Sequence, residues 1–140
     1  MDSISRRLPL ALLILRLTIF FVMLMWTIDK FVRPQHAAQI FEHFYGLAGV
    51  KTQVVFGLAI AEIALLIAFV IGLAKRWTYG AVFLLHALST FSSYHQYLTP
   101  FEKVNLLFFA AWPMLGACFA LYYLRAADTI GTISSRHPAN

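Results

Sequence analysis

The 140-residue chain is 61% hydrophobic and 12% charged, with a mean hydropathy of +0.74; a soluble domain carries about a quarter charged residues, so the composition excludes an ordinary water-soluble globule and points to lipid as the solvent. Eleven Lys and Arg against six Asp and Glu give a net charge of +5, but the cations stand between apolar runs and form no basic stretch, which assigns them to topology and lipid headgroups and excludes nucleic acid as a partner. The lone cysteine, Cys118, lies inside an apolar run, which excludes an intrachain disulfide, CxxC chemistry and a thiolate metal cluster.

After the polar start MDSISRR, an apolar segment runs over about 8–31, long enough to span a bilayer with some tilt. The opening SRRLPLALL has the form of a twin-arginine export signal. The run is too long for one, contains Arg16 and is followed by no small-residue cleavage site, so an uncleaved first span is expected. Pro34 ends it. The next piece, about 35–47, places Ala37, Ile40, Phe41, Phe44 and Leu47 at helical spacing with His36, Gln39, Glu42 and His43 largely opposite. Too short to span, it is expected to lie on the membrane surface or cap the bundle.

The second span, about 53–73, has a single ionisable residue, Glu62, near its middle. A tight turn through Ala74, Lys75 and Arg76 leads to the third span, about 77–97, which begins with Trp77 and Tyr79 at an aromatic-belt position. Thr99-Pro100 separates it from the fourth, about 102–124, in which Trp112-Pro113 is expected to kink the helix. The tail, 126–140, is polar and aperiodic and is expected to be mobile. Short connections make the spans antiparallel neighbours, so residues 1–125 are expected to form one all-α integral membrane domain, an antiparallel four-transmembrane-helix bundle with an outer amphipathic segment between helices 1 and 2. Cations near the span ends favour both termini on the cytoplasmic side.

Counting about 1.5 Å per residue from each expected inner end puts Arg16 roughly 12 Å deep, Glu62 roughly 16 Å and His86 roughly 13 Å. On that count three costly residues share one level, with the Arg16 guanidinium reaching the Glu62 carboxylate and His86 completing a triad. The plainer alternative is a fold-fixing ion pair with His86 as a hydrogen-bonded packing residue. His86, Ser89, Thr90 and Ser93 follow at steps of three and four. They would line an outward-opening cavity for a small polar molecule, a quinone head or protons, or else return hydrogen bonds to their own backbone. His36, His43 and His95 gather at the outer rim without a recognisable ligand pattern, so no metal site is assigned and the histidines are read as solvated. No phosphate loop, nucleophile turn or catalytic carboxylate pair is present in the sequence.

An arginine early in span one, Lys30, Phe31 and Pro34 at its outer end, the amphipathic segment, and Glu62 in a span that runs apolar to Gly72 together resemble the DoxX-like family of small four-helix bacterial inner-membrane proteins. The likeness covers about Leu8 to Leu124. The family commonly has a glycine three residues before that lysine, where this chain has Thr27. The resemblance implies a bundle associated with redox pathways, as in the relatives DoxD, a membrane subunit of thiosulfate:quinone oxidoreductase, and MauE of methylamine utilisation. It also singles out Arg16, Lys30 and Glu62. The expectation is therefore a non-catalytic inner-membrane subunit. It would hold a lipid-soluble redox partner such as a quinone for an associated enzyme, with Arg16, Glu62, His86, Ser89, Ser93 and Lys30 binding the ligand or handling protons, and with no catalytic residue. A proton-coupled carrier working as a homo-oligomer, and an assembly factor docking a protein partner through the amphipathic segment, are the other classes the pattern admits.

Overall fold

The computed structural model describes residues 3–133, and among these every regular element is helical. Helix α1 spans Ser3–Val32, α2 Pro34–Tyr45, α3 Thr52–Val70, α4 Lys75–Ser92, the short α5 Tyr94–Leu98 and α6 Ala111–Tyr123, with a 3-10 turn over Asn105–Ala110 leading into α6. Among the described residues three segments are long and apolar enough to cross a membrane: Ser3–Val32, Thr52–Val70 and Asn105–Tyr123. The fourth long helix, α4, carries the polar stripe His86 to Ser92 and is less apolar. α1 packs against α3 and α6, and α4 packs against the same two helices, so the four long elements close a ring.

The burial pattern explains the ring. On α1 the buried residues Leu12, Arg16, Ile19, Met23 and Thr27 recur at steps of three and four, one stripe of a helix. The opposite side presents Leu10, Ile14, Leu17 and Phe21, each about half exposed and all apolar. A helix apolar both where it is buried and where it is exposed belongs in lipid. Leu66 and Phe69 of α3, Tyr79 and Val82 of α4, and Cys118 and Leu121 of α6 complete the core. With acyl chains as the alternative contact, close packing rather than water exclusion favours these associations.

The element ends follow local chemistry. Pro34 occupies the start of α2, and Gly46 closes it in the left-handed conformation (φ 66°), its N–H bonding Glu42 O at 3.1 Å while Leu47 N–H bonds Phe41 O. α2 sits across one end of the bundle with Ala37 buried and Phe44 packed on Phe108, ring centroids 5.9 Å apart. Two left-handed residues, Gly72 (φ 67°) and Ala74 (φ 48°), fold the α3–α4 turn. The expected third span breaks at Ser93, and the expected kink at Pro113 takes the form of the 3-10 turn; Pro113 then lies in the first turn of α6, where its missing N–H removes no helical bond.

The described part of the polar tail is folded back on the bundle. Asp128 is fully buried, and Ile133 N–H bonds Ile71 O at 2.8 Å. Of the segment expected to be mobile, residues 126–133 include these contacts, and 134–140 lie outside the described residues.

Candidate functional site

The three residues expected to meet do not. Arg16, 1% exposed, turns to Asp128: Nη1 donates to Oδ2 at 2.9 Å and to the Tyr79 hydroxyl at 3.2 Å, and Nη2 donates to Ile130 O. Tyr79 in turn donates to Asp128 Oδ2 at 2.6 Å. Lys75 Nζ donates to Asp128 O and, at 3.4 Å, to Arg125 O. At the mouth of α4, outside the three candidate spans, burial pushes the Lys75 pKa below its ordinary value, a shift the Asp128 carboxylate opposes and the Arg16 guanidinium reinforces.

Glu62 pairs with Lys30 at 2.8 Å, the side chains 15% and 17% exposed. Arg16 and Lys30 are fourteen residues apart on α1, about 21 Å along the axis. The expected Arg16–Glu62 contact fails because the N-terminal end of α1 is not level with the C-terminal end of α3. α1 has 30 residues and α3 has 19, about 45 Å against 28 Å. The first turns of α1 overhang the end of α3, so Arg16 stands level with the α3–α4 turn and the returning tail.

His86 forms a third, separate site. Its Nε2 lies 3.0 Å from Ala111 O at the start of α6, so Nε2 carries the proton there. Thr90 donates to His86 O at 2.8 Å, Ser93 to Ser89 O at 3.1 Å, and Tyr97 to Thr90 O at 2.9 Å. The hydroxyls of Thr90, Ser92 and Ser93 thus turn to the backbone; Ser89 is exposed, while Thr90 and Ser93 are buried. Thr27, at the position where the family glycine was expected, is fully buried and bonds Met23 O at 2.8 Å.

At the C-terminal end of α1, Asp29 accepts from Arg33 Nε at 2.6 Å and pairs with His36 Nδ1 at 2.7 Å, beside the Lys30–Glu62 pair in sequence. Gln96 Nε2 lies 3.4 Å from His43 Nε2. Among the described residues no group of His, Cys, Asp or Glu is arranged to hold a metal ion. Comparison with known families, curated proteins and solved structures yields no match.

Sequence reasoning missed Asp128 and the structural use of Tyr79. One signal was available: Asp128 is an acid among the cations Lys75, Arg76 and Arg125 on one side of the expected topology. A buried arginine needs an anion, and Asp128 is the acid nearest in sequence to the C-terminal end of α6.

Proposed function

We propose that the chain is a four-span inner-membrane protein of the DoxX-like kind and a non-catalytic subunit that holds a partner protein at the end of the bundle capped by α2. The observation that carries this reading is the surface there. α2 seats its apolar side on the bundle and presents Gln35, Gln39, Glu42 and His43 outward, and the adjoining turn carries Leu98, Phe101 and Val104, which are 74%, 90% and 62% exposed. A fixed surface of mixed polar and large apolar groups suits protein contact. The buried ionisable residues support the same reading: Arg16, Asp128 and His86 are each engaged by this chain's own atoms, as expected of groups that fix a fold. Site-specific photo-crosslinking in native membranes tests it. A crosslinker at Glu42 or Phe101 is expected to give one protein adduct, and one at the lipid-facing Leu17 to give none; adducts to lipid alone at all three positions would refute it.

A second reading rests on the Lys30–Glu62 pair, which is partly exposed and is followed on α1 by Phe31, whose ring stacks on that of Phe56 with centroids 6.0 Å apart. An ammonium beside an aromatic pair suits a quinone head, with Lys30 donating to a carbonyl oxygen. Titration of the purified protein with a short-tailed quinone tests this. Affinity is to fall in Lys30→Ala and Glu62→Gln while the fold persists; equal affinity in all three proteins leaves the docking role alone.

A further inference from the structure

At the opposite end of the molecule, a groove of about 430 Å³ opens between α4 and α6, lined by Arg76, Trp77, Gly80, Ala81, Leu84 and Tyr122. The α4 residues recur at steps of three and four, so the groove runs along the helix rather than across it. It is cationic at one end and apolar at the other. Arg76 and Trp77 are exposed at the start of α4, with the guanidinium 5.7 Å from the indole centroid. Gly80 and Ala81 form the floor and Leu84, 60% exposed, continues toward mid-helix. The wall is Tyr122, whose ring lies against Gly80 so closely that an added Cβ there would come within 3.3 Å of Cε2. Arg125 lies over the same ring at 4.7 Å, bringing a second positive charge to this end.

We infer that this groove binds one anionic phospholipid, with its phosphate at Arg76 and an acyl chain laid over Gly80, Ala81 and Leu84. The match is one of order as well as of charge. Going inward from the helix end, the groove presents a cation, an interfacial tryptophan, two small residues and an aliphatic one, the sequence in which a lipid presents headgroup, glycerol and chain. Its size falls in the range of small-molecule sites, roughly 300–1,000 Å³. Among nearby cations, Arg16 is occupied by Asp128, and Lys75 by the carbonyls of Asp128 and Arg125, whereas Arg76 stacks on Trp77 at the groove mouth with its guanidinium exposed. The small floor residues leave the space that a larger side chain would fill.

The test uses the full chain in nanodiscs of phosphatidylcholine containing a minor share of phosphatidylglycerol, with retained lipid counted by native mass spectrometry. The wild type is expected to retain one phosphatidylglycerol in preference to phosphatidylcholine. Arg76→Gln is to lower that preference about fivefold, the worth of roughly one cation near the membrane surface. Ala81→Phe is to lower retention of either lipid by filling the groove; a free anion would be indifferent to that change. Arg6→Gln, at an exposed cation that does not line the groove, serves as the control and is to leave the preference intact. Thermal unfolding and size-exclusion profiles check that each variant is folded. No preference in the wild type, or a preference unchanged in folded Arg76→Gln, overturns the assignment.

Discussion

Arg16 and Asp128, 112 positions apart in sequence, meet at 2.9 Å with their side chains 1% and 0% exposed. The contact ties the first helix to the segment that leaves the last one, and Tyr79 from α4 bridges the two. Arg16 Nε and Asp128 Oδ1 find no hydrogen-bond partner among the described residues. The pair is therefore better suited to fixing which segments meet than to adding net stability.

Breaking the pair one side at a time is expected to be costly. Asp128→Ala strands a buried guanidinium and should lower unfolding stability by about 3–5 kcal/mol. The double variant Arg16→Met/Asp128→Leu, which removes both charges, should recover much of that loss. Chemical denaturation in detergent measures both; a double variant as unstable as the sum of the singles would contradict the reading.

The same substitution should free the returning segment. In the wild type Arg125 lies between α6 and the buried Asp128, with its guanidinium donating to Tyr122 O at 2.8 Å. Limited tryptic cleavage after Arg125 is expected to be slow in the wild type and several-fold faster in Asp128→Ala, as local opening governs such cleavage.

Gly72 is expected to tolerate no side chain. It has φ 67°, and an added Cβ would stand 2.5 Å from Thr132 Cγ2. Gly72→Ala should therefore destabilise the α3–α4 turn and its contact with the tail by about 1–3 kcal/mol. Gly72→Ala/Thr132→Gly, which removes the side-chain clash but keeps the unfavourable φ and the 3.2 Å approach to the backbone at 132, should recover part of the loss, as read by thermal unfolding.

The Lys30–Glu62 pair, still partly exposed, is expected to contribute less than the buried one, about 1 kcal/mol or below. A double-mutant cycle over Lys30→Met and Glu62→Gln gives the coupling. A value above that of the Arg16–Asp128 cycle would reverse the order of importance assigned to the two sites.

His86 is expected to act through its bond to Ala111 O. His86→Leu leaves that carbonyl without the bond and should cost about 1–3 kcal/mol, whereas His86→Gln, which keeps a donor, should cost less. Equal losses in the two variants would show that volume rather than hydrogen bonding matters there.

The apolar runs, the amphipathic α2 and the chain breaks at Pro34 and Gly72 were legible because hydropathy and helix punctuation are local properties. The segment expected over about 35–47 is α2 at Pro34–Tyr45. The break at Ser93 and the 3-10 entry to α6 were less legible, since both depend on what packs beside them.

Pairing was not legible. Residue order along α1 determined that Arg16 shares a buried face with Leu12, Ile19 and Met23, and that its charge required an acid. Which acid was decided by how far α1 slides along α3, and a helix apolar on every side carries no local mark of its own axial offset. Only the packed tertiary structure, in which α1 overhangs its neighbours and the chain returns beneath them, gave Asp128 to Arg16 and left Glu62 to Lys30.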